Sequence, residues 1–456
     1  MEKKNIYFVG AGGIGMAALE RYFLARGCKV GGYDRTPSDL TQALESEGVA
    51  ISYSDDPSLI PDDFRDPSDT LVVYTPAVPE CHAGLSWFRQ NGFEVVKRAQ
   101  VLGRVTRETT AICFAGTHGK TTTSSMAAHL LKVSGVGCNA FLGGVLRNYN
   151  TNYLLDETSP YAVIEADEYD RSFHHLHPSL AVVTSTDPDH LDIYGTEEAY
   201  LESFARFTEL IAPDGVLLMH TGLKMRPRVA DGVRVYTYGG ADGDFRASAI
   251  NYSNGHITFD LVTPWSVIRH ISLGVPVEVN IDNAVAACSA ILLTGNTSVS
   301  PDHIREAMGS FLGAKRRFEF YIREPRRAVI DDYAHHPDEL RASIQSVRKL
   351  YPNRRLTVAF QPHLYSRTRD FAPEFAEALS GADEVLLLPI YPAREEPIEG
   401  VTSEIILDRV TSPVKHMVAR ADLAEVLDRM KPEILLTVGA GDINLLLPEI
   451  VERLRW

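Results

Sequence analysis

Cysteine is scarce in this chain: five occur in 456 residues, at positions 28, 81, 113, 138 and 288, with no C-x-x-C pair. An odd, scattered set excludes a disulfide framework and points to free thiols in a reducing compartment. Long apolar runs are missing as well. Stretches such as VLLLPIY at 385–391 have the length of a strand, far short of a membrane span. The opening MEKKNIYFVGAGG reaches glycine after a short apolar run, unlike a secretory leader. A cytoplasmic protein without membrane insertion is therefore expected. Positive charge is the minority, 45 Lys+Arg against 60 Asp+Glu, for a formal charge of −15. That excludes a general nucleic-acid binder, which needs a basic face to displace counterions. A local basic pocket for a small anion stays open.

What is present has the composition of a globular protein, 45% hydrophobic and 23% charged. At roughly 150 residues per domain the length suggests three domains. Short β-branched runs alternate with amphipathic helical runs throughout, the signature of α/β architecture. NIYFVG, KVGGYD and TLVVYTPAV read as strands of a first segment that closes near the polar RVTRETT at 104–110. AICFAG, YAVIEAD and LAVVTS are strands of a second, with a helix beginning near Asn283. SFLGAKRRFEFYI at 310–322 reads as a hinge. AVIDD, LTVAFQP, EVLLLPI, VKHMVA and ILLTVGAG then alternate with helices in a third. The domains are accordingly set at 1–108, 109–312 and 313–456, with no fixed repeat.

Two loops carry chemistry. GAGGIG at 10–15 fits G-x-G-x-x-G between a strand and a helix, with Asp34 at the end of the next strand. Such a loop binds a diphosphate at a helix N-terminus, and the acid suits a ribose; a UDP sugar fits as well as NAD. The second, FAGTHGKTTTSS at 114–125, resembles a phosphate-binding loop two residues short, because Phe114 stands where the first glycine belongs. It keeps the working parts. Gly116 and Gly119 let backbone N–H groups turn inward, Lys120 offers a point charge, and Thr121 a hydroxyl for Mg²⁺. VIEADEYD supplies Glu165, Asp167, Glu168 and Asp170 at a strand tip, with Glu165 the choice for the metal. TSTDPDHLD puts Asp187, Asp189, His190 and Asp192 on the same rim, where His190 could reach a second ion. HHLH at 174–177 imitates a metal cluster, but without cysteines or helical spacing it is not assigned to zinc.

The ordered set FVGAGGIGM, AGTHGKTTT, EADEYD, DPDHLD, NIDNAVAA, RRFEF, DDYAHHPDE and FQPHLYSRTRD resembles the Mur ligases from residue 5 to about 445. Within them it is most similar to the branch that adds L-alanine to UDP-N-acetylmuramate. The short G-T-x-G-K-T loop is that family's own form. The resemblance implies a Rossmann-like UDP-binding domain, a P-loop ATPase centre and a Rossmann-like C-terminal domain. It also implies ATP-driven amide formation with Mg²⁺. The lactyl carboxylate attacks the γ-phosphate, and the L-alanine amine then displaces phosphate from the acyl phosphate. Carried over by position, Gly116, Thr117, His118, Gly119, Lys120, Thr121 and Thr122 hold the ATP phosphates. Thr121, Glu165 and His190 bind magnesium. Asn280 and Asn283 face the adenine, Asp332 and His335 touch the nucleotide from the third domain, and Arg317 reaches phosphate on closure. Lys120, His190 and Arg317 are the catalytic set. His363 and Arg367 handle the alanine and muramyl end, while Gly12, Gly13, Ile14, Asp34, Thr75, Pro76 and Ala77 hold the UDP.

Departures from the family pattern are Val279 where histidine is common, Leu364 where arginine is, and Gln100 where an acid is usual. Phe204 stands near the place of a carbamylated lysine in relatives that use other amino acids, which fits the alanine branch. Rival readings are a recycling ligase joining a ready-made peptide to the same acceptor, an NAD-dependent oxidoreductase, and an NTP switch. The oxidoreductase leaves GTHGKTT and EADEYD idle. The switch leaves the first and third domains without a role. Oligomeric state is not legible.

Overall fold

The computed structural model describes residues 3–75, 77–189, 191–253, 255–324, 326–393 and 395–455, with Leu191 and Asp192 described in backbone alone. Two of the expected site residues, Pro76 and His190, lie outside the described residues.

The first sheet is built from β1 (Asn5–Val9), β2 (Lys29–Tyr33), β3 (Ala50–Ser52), β4 (Thr70–Tyr74) and β5 (Glu94–Lys97), in the order β3-β2-β1-β4-β5. All its pairings are parallel. The strand order reverses between β1 and β4. A crevice opens at such a switch point beyond the carboxyl ends of the strands, and that is where the GAGGIG loop lies.

The second sheet comprises β6 (Thr110–Ala115), β7 (Asn139–Leu146), β8 (Thr151–Leu154), β9 (Tyr161–Glu165), β10 (Leu180–Val183), β11 (Val216–His220) and β12 (Arg234–Tyr238), ordered β12-β11-β10-β6-β9-β7-β8. Only the β7–β8 pair is antiparallel. β6 therefore sits between β10 and β9, and its phosphate loop emerges flanked by the ends of both. Three strands, β13 (Arg246–Ser253), β14 (His256–Val262) and β15 (Val267–Ser272), form a small separate sheet.

The last sheet, from β16 (Glu319–Glu324), β17 (Arg327–Asp332), β18 (Leu356–Phe360), β19 (Glu384–Leu387), β20 (Val414–Met417) and β21 (Ile434–Val438), runs β16-β17-β21-β18-β19-β20. β16 is antiparallel to β17, and the other pairs are parallel. Helices cover these strands, whose near-continuous apolar character matches burial on both faces.

The chain forms two compact units. One contains the first two sheets and comprises 1–248, 261–269 and 282–308; the other comprises 249–260, 270–281 and 309–456. Within the first unit one hydrophobic core runs through both sheets, from Ile6 and Phe8 through Tyr22 to Phe141 and Ile164. The Tyr22 and Phe141 rings lie 5.4 Å apart. Asn152 Nδ2 also donates to the Ile14 carbonyl at 2.6 Å, tying β8 to the start of the Ile14–Ala25 helix.

Two local expectations shift. The stretch 104–110, where the first segment was expected to close, is not irregular: Arg98–Arg107 is a helix that buries Val101, Leu102, Val105 and Thr106. Its basic residues disguise the periodicity. The helix expected near Asn283 begins at Val279. Neither the β7–β8 hairpin nor β13–β15 was anticipated.

Gly103 in that Arg98–Arg107 helix packs on the 169–175 segment so closely that an added Cβ would lie 2.2 Å from the His175 carbonyl oxygen. Backbone cannot yield as a flexible side chain does. Gly103→Ala is expected to destabilise the fold by about 1–3 kcal/mol, and thermal denaturation should show a lowered Tm; an unchanged Tm would contradict this packing.

Candidate active site

The shortened loop keeps a working geometry because of its glycines. Gly116 has φ +143° and Gly119 φ +84°. A Cβ on Gly116 would fall 2.1 Å from Thr184 Oγ1, and one on Gly119 would fall 2.8 Å from Asn283 Oδ1. The loop is fastened to the end of β10: Thr117 N donates to the Ser185 carbonyl at 3.2 Å. His118 N donates to Ser185 Oγ at 2.7 Å, and Thr184 Oγ1 donates to the His118 carbonyl at 2.5 Å. Thr117 Oγ1 donates to the Asp187 carbonyl at 2.6 Å. The helix Lys120–Val133 begins directly after Gly119. Its first-turn N–H groups have no intrahelical partner, so Lys120, Thr121 and Thr122 form an anion-binding N-terminus.

Three side chains converge on that N-terminus. Thr121 Oγ1 donates to Glu165 Oε1 at 2.8 Å, and Gly143 N donates to Glu165 Oε2 at 2.7 Å. Burial pushes the Glu165 carboxyl up from its ordinary value, against the Thr121 and Gly143 hydrogen bonds and Lys120, which pull it down. Lys120 Nζ lies 2.8 Å from Glu168 Oε2 and 3.0 Å from its Oε1. Thr123 Oγ1 donates to Asn283 Oδ1 at 3.1 Å, so Asn283 abuts the loop. Among the described residues no three His, Cys, Asp or Glu side chains group as a metal centre. The oxygen donors at hand are Thr121 and Glu165, hard ligands of the kind that suit magnesium alongside phosphate oxygens.

The first-domain loop opens into a cleft of about 360 Å³ lined by Gly13, Ile14, Thr75 and Arg98 on one side and by Gly143, Glu165 and Asp167 on the other. One cleft thus reaches from the Gly13–Ile14 loop to Glu165. Asp34 Oδ2 accepts from Gly12 N at 2.6 Å, so this carboxylate braces its own loop. Ala77 is exposed beyond β4. Arg98, not anticipated, lies against Gly15 and 3.6 Å from Asp167. It brings a cation to the N-terminus of the Ile14–Ala25 helix.

In the second compact unit the carboxyl ends of β17 and β18 gather the third-domain residues. Asp332 Oδ1 accepts from Phe318 N at 3.2 Å and Tyr333 N at 2.9 Å, and Ser343 Oγ donates to its other oxygen. Burial raises its carboxyl. The His335 and His363 rings stand 6.3 Å apart, and burial lowers the pKa of both. Arg367 Nη1 is buried without a hydrogen-bond partner. Arg317 is exposed, its guanidinium 5.6 Å over the Tyr333 ring. Its neighbours Arg316 and Phe318 adopt left-handed φ of 60° and 47°, a strained bracket for non-glycine residues. Arg316 is structural, donating to the Gly439 and Gly441 carbonyls beside Asp331. Asn280 Nδ2 donates to the Val275 carbonyl at 3.1 Å.

Of the departures, Gln100 accepts from Lys97 N at 2.8 Å and caps a helix, and Val279 is exposed. Leu364 has φ 71°, and Phe204 is fully buried against Phe173. Sequence reasoning named Glu168 among four strand-tip acids but gave it no role. The signal was the lysine itself, since a half-buried ammonium calls for an anion beside it.

A Gly-rich crevice on one parallel sheet and a phosphate loop on the next define a nucleotide-dependent α/β enzyme. Family models agree: "Mur ligase family, catalytic domain" matches 5–110, "Mur ligase middle domain" 114–291, and "Mur ligase, glutamate ligase domain" 316–441. The UDP-N-acetylmuramate–L-alanine ligase of Parabacteroides distasonis is 57% identical over 98% of this chain and 96% of its own. That of Porphyromonas gingivalis is 50% identical over 99% of each. A solved UDP-N-acetylmuramate-alanine ligase from Thermotoga maritima superposes with TM-score 0.78 at 28% identity, covering 98% of both chains. A murein peptide ligase from Psychrobacter arcticus, at 21% identity and TM-score 0.62, shares the fold.

The chain belongs to the Mur ligase family and has its three-domain architecture. It is an ATP-dependent ligase accordingly, and among the described residues no helix is long and apolar enough to cross a membrane.

Gly116→Ala should weaken ATP binding at least tenfold, about 1.4 kcal/mol, because the methyl group displaces Thr184 and strains the loop. Calorimetric titration with ATP checks this, and wild-type affinity would contradict the loop geometry.

Proposed function

We propose that this chain joins L-alanine to the lactyl carboxylate of UDP-N-acetylmuramate through an acyl phosphate, in the cytoplasmic synthesis of peptidoglycan precursors. The observation that carries it is the cleft that joins the Gly13–Ile14 loop to Glu165, whose carboxylate accepts from Thr121 of the 116–122 loop, together with the similarity to L-alanine ligases over nearly the whole chain. Domain limits of 1–108, 109–312 and 313–456 go with this reading.

The first-domain loop, with Gly12, Gly13, Ile14, Asp34 and Thr75 to Ala77, holds the UDP and directs the lactyl end along the cleft. Gly116 to Thr122 hold the ATP phosphates, with Asn280 and Asn283 toward the adenine and Asp332 and His335 completing the nucleotide site from the third domain. The carboxylate oxygen attacks the γ-phosphorus while the bond to ADP breaks. The amine then attacks the acyl carbon, and inorganic phosphate leaves with the bonding pair. Both steps crowd anions, so Lys120 and, on closure, Arg317 stabilise the developing charge. Thr121 and Glu165 would hold Mg²⁺, with His190 the further ligand implied by the resemblance. When bound, the ion supplies charge neutralisation on the phosphate oxygens. His363 and the half-buried Arg367, whose Nη1 has no hydrogen-bond partner, receive the alanine and muramyl end.

Phosphate release from ATP should require UDP-N-acetylmuramate and L-alanine together, and calorimetry should show binding of the UDP sugar but not of NAD. Tight NAD binding without a response to the UDP sugar would return the oxidoreductase reading. Ligation with a preformed peptide but not with L-alanine would favour the recycling reading.

Lys120→Ala should lower the ligation rate several hundred-fold, about 3–4 kcal/mol of barrier, with UDP-sugar binding intact. Arg317→Ala should likewise lower the rate far more than it weakens the UDP sugar, because the arginine acts when the third domain closes over the reacting carbonyl. Scattering should show compaction with a non-hydrolysable ATP analogue plus the UDP sugar. An unchanged envelope with a fully active Arg317→Ala would overturn the closing mechanism.

A further inference from the structure

Lys120 is engaged on every side by groups of its own chain. Its side chain is 14% exposed and that of Glu168 is 2% exposed, with the ammonium against both carboxylate oxygens. The same ammonium donates to the carbonyls of Gly116 and Thr117. All its hydrogen bonds therefore go to the loop and to one buried acid. Glu168 is itself held firmly. Its carbonyl accepts from Tyr194 Oη at 2.5 Å and from Arg171 N at 3.0 Å. The next turn carries two left-handed non-glycine residues, Asp170 at φ 50° and Arg171 at φ 55°. Lys97 pairs with Asp170 at 3.0 Å, and the Arg171 guanidinium lies 4.8 Å over the Tyr194 ring. Surroundings that over-determine a strained turn keep the residue beside it in one place.

A carboxylate so buried is costly unless it meets a cation, and it loses its partner whenever Lys120 turns to phosphate. We propose that Glu168 is a positioning residue, a resident anion that holds Lys120 at the loop and competes with the nucleotide phosphates for it. This rests on the reading of 116–122 as the ATP loop. Binding is then an exchange of carboxylate for phosphate on one ammonium. Once the γ-phosphoryl group has moved to the substrate, ADP presents fewer phosphate oxygens and Glu168 recaptures the lysine, which favours release.

The test is calorimetry with ATP and with ADP on the full chain as wild type, Glu168→Gln, Lys120→Met and the double variant, with UDP-N-acetylmuramate as the control for folding. Glu168→Gln should tighten both nucleotides by about fivefold or more, at the low end of ordinary coupling energies, and leave the UDP sugar unchanged. In the Lys120→Met background the same change should have no effect, a dependence that a merely structural glutamate would not show. If Glu168→Gln loses UDP-sugar binding, Glu168→Asp, which retracts the charge by one methylene, should tighten nucleotides by a smaller factor. Unchanged or weakened nucleotide binding in a folded variant, or equal tightening without Lys120, overturns the proposal. ATP binding without ligation by the wild type would overturn the assigned reaction alone.

Discussion

The architecture turns on the crowding of backbone at the carboxyl end of β6. The phosphate loop leaves a buried strand hemmed in by β9 and β10, and only residues without a Cβ can turn there. Gly116 and Gly119 meet that constraint in left-handed conformations, with Thr184 and Asn283 pressed against them. Because the turn is tight, the N–H groups at the start of the Lys120–Val133 helix point to one spot. The strand order β10-β6-β9 brings Ser185 and Glu165 to the same spot from either side. A shorter loop therefore suffices, since its walls are supplied by neighbouring strand ends.

Anion management follows from that arrangement. Two negatively charged substrates must meet in a protein that carries net negative charge, so cations are concentrated locally. Lys120 stands at the phosphate loop, Arg98 at the first-domain helix N-terminus, and Arg317 and Arg367 in the third domain. The acids beside Lys120, Glu165 and Glu168, have their carboxyls raised by burial and are held by hydrogen bonds or an ion pair. Asp331 shows the same balance, pushed up to about 6 by burial against Thr437 and Arg316.

Much of this was legible beforehand because it is local. The glycine spacings, the lysine-threonine run and the acids at strand ends sit within a few residues of one another, and strand-loop-helix order followed from periodicity. Contacts between distant segments were not legible. In KRRFEF the sequence alone could not show that Arg316 is spent on Gly439 and Gly441 while Arg317 is left exposed. In EADEYD four acids look alike, yet Glu165 bonds Thr121, Glu168 bonds Lys120, and Asp170 pairs with Lys97. The helix at 98–107 was hidden because its arginines masked a buried stripe, and its gain comes from tertiary packing rather than propensity.

By itself the sequence determined the class of each segment, the presence of two glycine-bearing strand-to-helix loops and the family to which the chain belongs, since backbone conformation at glycine and periodic burial are written in short range. Tertiary structure alone decided which charges pair, which stay available, and that the first-domain loop and Glu165 line one cleft. Those outcomes depend on strand order and on desolvation, and both arise only when residues as distant as Gly13 and Glu165 are brought together.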